Sequence, residues 1–335
     1  MNILFYGFRH GHIDTLYKMA KSCADIDKIY CIEEDENARK AASERLGITF
    51  EDVSLEKALA EYDIDAVAVG ARYGDRGSAA IKAMTYGKHI IADKPLCTSL
   101  SELSEIECLS REKDLKIACM LDLRYMPSAI TAKKLYDSGK YGKLVNISFD
   151  GQHCIDYVHR PSWYFEKGMH GGTINDLGIH GVDLVSHIFG EEFVKIDYAE
   201  TRNKYAYDHD FFRDCAMFVC TLTSGAKVMA DVSYSAPANQ SALPTYWQFR
   251  CWLERAMMIF SVNSGNVTVY DNEGKCETFD GIVPESTYLE DFLKEISSGT
   301  REFTDSVIKS TRSCLEIQKA AEQNIPTSCD AGSDN

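Results

Sequence analysis

"MNILFYGFRHGHIDTLYKMAKSC", residues 1–23, decides the fold. Its first half is a continuous apolar run that ends in a turn at Gly7, and its second half carries apolar residues at helical spacing. Working outward, the same alternation repeats. "IDKIYCIEE", "IDAVAVGA", "HIIADKP" and "LKIACML" read as strands, while "ENARKAASERLG", "RGSAAIKAMTYG" and "LSELSEIECLSREKD" read as helices between them. Strands that are apolar throughout, separated by helices of this length, predict a parallel sheet covered on both faces.

The pattern changes near residue 122. A helix near 127–138 and the turn "SGKYGKL" lead into "VNISFDGQH". After a helical stretch come longer segments of strand composition, "VKIDYAETR", "DCAMFVCTLTSGAKVMADVSYS", "WQFRCWLERAMMIFSVNSGNVTVYD" and "KCETFDG". Turn signals such as "TSGAK", "NSGN" and "NEGK" join them as antiparallel hairpins. Two helical patterns and a loose polar tail close the chain. The expected class is α/β: a Rossmann-type doubly wound parallel sheet over residues 1–121, then an α+β domain with an open, mostly antiparallel sheet over 122–330. A cleft between two such domains is where ligands are expected.

The chain has 335 residues, 45% hydrophobic and 26% charged, which suits about two globular domains. A formal charge of −15 argues against nucleic-acid binding, which needs an excess of lysine and arginine. The start shows neither a signal peptide nor a membrane span, so the cytoplasm is expected. Twelve cysteines are scattered without C-x-x-C pairs and read as mostly buried, reduced thiols. The pairs His10/His12 and His153/His159 lack the closely spaced third ligand of a familiar zinc motif, so no metal is expected.

At the first turn the sequence is "GFRHGH", residues 7–12, where a dinucleotide fold usually shows G-x-G-x-x-G. Gly7 takes the first glycine position, while Arg9 and His12 stand in place of the second and third. Glu33, 26 residues after Gly7 at the end of the second strand, suits the ribose hydroxyls of an adenosine. The competing reading is that "EEDENARK" caps and solvates the next helix. In "GKHIIADKPLCTS", residues 87–99, Lys94 falls at the carboxyl edge of the sheet, where cofactor and substrate meet, unless it is a surface lysine beside a turn proline.

"GGTINDLGIHGVDL", residues 171–184, puts Asp176, His180 and Asp183 in one stripe of a 3.6-residue helix. Leu177, Gly181, Leu184 and Ile188 form a neighbouring apolar stripe with a gap at the glycine. Alone, a helical His near an Asp reads equally as a hydrogen-bonded structural pair. "HRPSWYFEKG", residues 159–168, offers Arg160, Trp163 and Tyr164 to a polyhydroxylated ring, although Trp163 also suits a core.

Together, "GKHIIADKP" and "GGTINDLGIHGVDL" resemble the paired signatures of the glucose-fructose oxidoreductase, inositol dehydrogenase and rhizopine-catabolism (Gfo/Idh/MocA) family, roughly G-K-H-V-x-x-E-K-P and G-G-G-x-x-x-D-x-G-x-H-x-x-D. They occur in the family's order, with 82 residues from Lys94 to Asp176. The resemblance implies that Lys94 lies between nicotinamide and substrate, that Asp176 contacts the substrate and that His180 is the general base. It also implies that Gly7, Phe8, Arg9, His10, Gly11, His12, Glu33, Gly70, Ala71, Arg72, Asp93 and Lys94 face the cofactor. Asp93 replaces the usual glutamate, His170 the first glycine of the triplet, and "GARYGDR", residues 70–76, the usual A-T-P.

Oxidising a secondary alcohol needs a hydride acceptor and a base for the hydroxyl proton, and an imidazole titrates near working pH. The leading expectation is therefore an NAD-dependent oxidoreductase acting on a sugar, cyclitol or related polyol. It would be a homo-oligomer with a small-molecule substrate and no nucleic-acid or membrane partner. Two alternatives stay open: a glycosidase-type enzyme that uses bound NAD transiently, and a non-catalytic ligand sensor on the same fold.

Overall fold

The computed structural model describes residues 1–206, 208–209 and 211–324. By compactness the chain forms two units. One comprises Met1–Tyr125, Ser162–Gly171 and Pro284–Arg312, and the other Met126–Pro161, Gly172–Val283 and Ser313–Asn335. Residues 325–330 of the second expected domain, the end of the polar tail and Cys329 lie outside the described residues.

In the first unit β1 (Asn2–Tyr6) leads to α1 (His12–Ser22) and β2 (Lys28–Ile32). Two helices, α2 (Glu36–Leu46) and α3 (Leu55–Glu61), then connect to β3 (Ala66–Val69). α4 (Tyr73–Thr85), β4 (His89–Ala92), α5 (Leu100–Glu112) and β5 (Ile117–Cys119) complete the alternation. The sheet order is β2-β1-β3-β4-β5, all parallel, as the apolar runs require. β3 is buried at every residue, which is why it shows no polar alternation. The sequence reading passed over α3. Its signal is there: Ser54 caps the helix through the Lys57 N–H, and Leu55, Ala58 and Leu59 are buried at helical spacing.

The order of strands reverses between β1 and β3, the position where doubly wound sheets bind ligands. Gly7 and Gly70 end these two strands and lie against each other. A Cβ on Gly70 would meet the Gly7 carbonyl at 2.4 Å, and one on Gly7, whose φ is +85°, would meet the Ala71 nitrogen at 2.6 Å. Glycine is the residue that both the left-handed backbone and the close approach demand.

The second unit is built on an eight-stranded sheet. β6 (Leu144–Gln152) sits inside it, with β7 (Phe193–Arg202), β8 (Cys215–Leu222) and β9 (Lys227–Ser233) to one side. β10 (Gln248–Leu253), β11 (Ala256–Ser261), β12 (Asn266–Asp271) and β13 (Cys276–Asp280) lie to the other. The order is β13-β12-β11-β10-β6-β9-β8-β7, and every pairing is antiparallel except β6 with β9. α6 (Pro127–Asp137) and α7 (Ile179–Phe189) serve its buried face. Ile147, Phe149, Phe218, Phe249, Cys251 and Met258 supply the core there. The opposite alternation leaves Trp252 48%, Met229 47% and Tyr270 45% exposed.

The gap read at Gly181 is filled by an aromatic. A Cβ there would fall 2.1 Å from the Phe149 ring, so α7 seats directly on β6. α8 (Tyr288–Ser298) packs its Leu289 and Phe292 into the core of the parallel unit, and α9 (Glu302–Gln323) is the last described element. All eleven described cysteines are free. Among the described residues no helix is long and apolar enough to cross a membrane.

Candidate active site

In the parallel unit, the turn after β1 folds back over the end of β2. The Glu33 carboxylate, 2% exposed, accepts the Phe8 N–H at 2.6 Å, Arg9 Nε at 3.0 Å and the Asp35 N–H at 2.9 Å. Glu33 thus organises the turn, Asp35 caps α2 through the Ala38 N–H, and Glu34 is the further acid beside the cavity. That cavity, of about 310 Å³, is lined by Gly7, Arg9, Glu33, Glu34, Ala71 and Arg72 among others. Four expected cofactor residues outside it, Phe8, His10, Gly11 and His12, belong to the same turn, and α1 begins there with no side-chain cap. Uncapped N–H groups at a helix start suit a phosphate. Switch-point glycines, cavity and uncapped helix together fit a dinucleotide.

At the end of β4 the surface-lysine reading is corrected: Lys94 is 4% exposed. Its neighbour Asp93 is 1% exposed and gathers three partners, Arg76 Nη2 at 2.8 Å, His10 Nδ1 at 3.2 Å and His12 Nδ1 at 3.3 Å. Burial alone would raise the Asp93 carboxyl, but Arg76, with His12 and His10, holds it well below the usual carboxylate range. Burial and the nearby His12 push His10 down to about 4 against the pull of Asp93. Tyr73, fully buried, sits among these groups. Arg76 lies over its ring at 4.4 Å, Lys94 Nζ is 5.9 Å from its centre, and Trp163 and Tyr164 pack on it at 5.1 and 5.5 Å. Trp163 is 5% exposed, so its packing is that of a core residue.

In the second unit, the stripe expected from one regular helix is corrected. Ile174–Gly178 is wound as a π-helix and α7 begins only at Ile179, so Asp176 and His180 stand on differently wound turns. π-turns of this kind often sit at functional sites, because the wider turn re-aims side chains. This one is braced from α9: Gln318 accepts the Ile174 N–H at 2.9 Å and the Cys314 thiol donates to the Ile174 carbonyl. Asp176, His180 and Asp183 are all buried.

The Tyr234 hydroxyl donates to the Asp176 carboxylate, and the Arg160 guanidinium lies 5.7 Å from the Tyr234 ring centre. Arg160 also donates to the carbonyls of Cys154 and Ile155. Asp176, Tyr234 and Arg160 are therefore brought together, whereas Trp163 belongs to the other unit. The His180 ring meets Trp247 edge-on at 5.4 Å. Trp247 is held at φ +51°, a region that bulky residues rarely enter, and its ring fills the space that a side chain at Gly151 would need. Sequence reasoning missed Tyr73, Arg76, Tyr234 and Trp247. Only the departure at residues 70–76 signalled the first two.

Residues 5–120 match the family model described as "Oxidoreductase family, NAD-binding Rossmann fold", and residues 129–256 match the "GFO/IDH/MocA C-terminal domain". The chain is similar to the uncharacterized oxidoreductase YhhX of Escherichia coli strain K12, 28% identical over 159 residues, 47% of this chain and 45% of that protein. It is likewise similar to the D-xylose dehydrogenase of Paenarthrobacter nicotinovorans, 28% identical over 117 residues, 33% of this chain and 30% of that protein. The matched stretches span less than half the length of these curated relatives. The solved aldose-aldose oxidoreductase from Caulobacter crescentus, complexed with glycerol, superposes with a TM-score of 0.79 at 17% identity, covering 97% of this chain and 98% of that one. At that identity the likeness is one of fold.

Proposed function

We propose that this chain, which belongs to the Gfo/Idh/MocA oxidoreductase family, is an NAD-dependent dehydrogenase that moves a hydride between a sugar, cyclitol or related polyol and the nicotinamide cofactor. The observation that supports it best is the braced π-turn, which holds Asp176 against the Tyr234 hydroxyl, with Arg160 beside the Tyr234 ring, and is followed by His180 on α7. A carboxylate, a phenol and a guanidinium in one array suit several hydroxyl groups of one substrate.

Hydride acceptance is the chemistry that NAD supplies when bound. The chain's own residues do the rest. His180 takes the hydroxyl proton, Asp176 orients the hydroxyl, and Lys94 stabilises the developing alkoxide. Residues 7–12, 33, 70–72, 93 and 94 hold the dinucleotide, with 1–121 as the binding domain and 122–330 as the substrate and oligomerisation domain. The exposed sheet face of Met229, Trp252 and Tyr270 suits a homo-oligomer, because apolar sheet faces favour being covered. The setting assigned is the cytoplasm.

Purified enzyme incubated with NAD and a panel of sugars and inositols is expected to form NADH in net amounts. Turnover of a glycoside without net NADH would favour the transient-NAD mechanism instead. Activity confined to simple aliphatic alcohols would refute the polyol assignment.

Cofactor choice follows from the acids at the cavity. Glu33, Glu34 and Asp75 line it together with Arg9, Arg72 and Lys82, and the assignment rests on Glu33 and Glu34 at the end of β2, where an acid suits the ribose hydroxyls and opposes a 2'-phosphate. Titrations with both dinucleotides are expected to show tighter binding of NAD, and a preference for NADP would overturn this assignment.

A further inference from the structure

His10 stands in the turn between β1 and α1 and His12 opens α1, while the nearest acid in sequence, Asp14, is paired with Arg45 and gives them no third ligand. The fold supplies one. Because β4 follows β3 in the sheet and β3 lies next to β1, the turn after β1 reaches over the end of β3 to Asp93, which directly follows β4. We propose that His10, His12 and Asp93 form a binding site for one divalent transition-metal ion of the zinc class, a two-imidazole, one-carboxylate set.

The fold already gathers the three side chains, with one imidazole against each oxygen of the Asp93 carboxylate. His10 Nδ1 lies 3.2 Å from Asp93 Oδ2 and His12 Nδ1 lies 3.3 Å from Asp93 Oδ1. With metal–ligand bonds of about 2.0–2.2 Å, the edge of a tetrahedron is about 3.3–3.6 Å. One ligand atom from each of the three residues lies within 4.8 Å of the others. The two imidazole rings are perpendicular, with centres 4.3 Å apart. The His12 side chain, 34% exposed, has room to swing the remaining edge closed.

Support behind the ligands is also present. Arg76, fully buried, fixes the Asp93 carboxylate through Oδ2 and leaves Oδ1 to the His12 side. Metal-binding carboxylates are oriented by partners of this kind. None of the three residues lines the 310 Å³ cavity, although all three belong to the set assigned above to the dinucleotide, so the ion would sit beside the bound cofactor and its place there rests on that reading. Two nitrogen donors select zinc, cobalt, nickel or copper over magnesium and calcium, which favour oxygen ligands alone. An ion here would tie the turn after β1 to the end of β4, across more than eighty residues of chain.

The test uses the full chain, free of any tag and stripped with a chelator. Calorimetric titration with zinc is expected to give one ion per chain, and cobalt is expected to give the visible absorption of a four-coordinate site. Bound zinc should raise Tm, because the ion binds the folded state preferentially. His12→Gln and His10→Gln should each weaken binding by at least about 10-fold, the smallest loss seen even for groups that only support a ligand. His159→Gln, at an exposed histidine paired with Asp156, should leave binding unchanged. Absence of saturable one-to-one binding in the wild-type chain overturns the proposal, whatever the variants do. So does binding that survives His12→Gln or that is lost in His159→Gln.

Discussion

Replacing His180 by alanine is expected to lower kcat about 100-fold or more on the true substrate, the usual scale of general acid-base catalysis, with little change in dinucleotide affinity. The split follows from where the residue sits. His180 belongs to α7 in the unit built on the eight-stranded sheet, and the switch-point glycines and the 310 Å³ cavity belong to the parallel unit. His180 also packs against Trp247, so its loss removes ring contacts as well as a base. His180→Gln separates the two effects, since it keeps a side chain of similar reach and polarity but cannot take a proton near neutral pH. If His180 is the base, both variants lose turnover, and the remaining activity rises with pH where hydroxide replaces the imidazole. A folded His180→Gln enzyme with near wild-type kcat would reduce the residue to a packing role.

How much of this was readable from sequence depends on the range of the interactions concerned. β1, β3 and β4 were legible because a strand buried on both faces leaves an unbroken apolar run. The hairpins of the second sheet were legible because their turns carry glycine with polar neighbours. Gly181 was legible as a gap in a stripe, although nothing local named Phe149 as the residue that fills it. The π-turn was not legible. Its winding is held by Gln318 and Cys314, more than a hundred residues away, and a periodicity argument assumes 3.6 residues per turn throughout. Tyr234 was hidden for the same reason, since a tyrosine at the end of a strand reads as packing until Asp176 is seen beneath its hydroxyl. Glu33 was found at its position, but its engagement with Phe8 and Arg9 depends on how the glycine-poor turn folds back.

Arg76 gives the largest expected effect on stability, although in the sequence only the departure at residues 70–76 pointed to it. It is fully buried, and its guanidinium donates to the Asp93 carboxylate at 2.8 Å, to the Ala71 carbonyl at 2.9 Å, and to the carbonyls of Lys94 and Pro95. It also lies over the Tyr73 ring at 4.4 Å. Arg76→Met keeps much of the volume but leaves a buried carboxylate without its strongest partner and three carbonyls without a donor. Removing one member of a buried ion pair costs about 3–5 kcal/mol, so the urea midpoint of Arg76→Met should fall by that equivalent at constant m-value. Asp93→Asn alone should also destabilise, because it strands the cation. The double variant Arg76→Met/Asp93→Asn should cost clearly less than the sum of the two single changes, since each removes the charge that the other left exposed to a low-dielectric interior. Additive losses would mean that Arg76 acts through its carbonyl contacts and ring packing and not through the Asp93 charge.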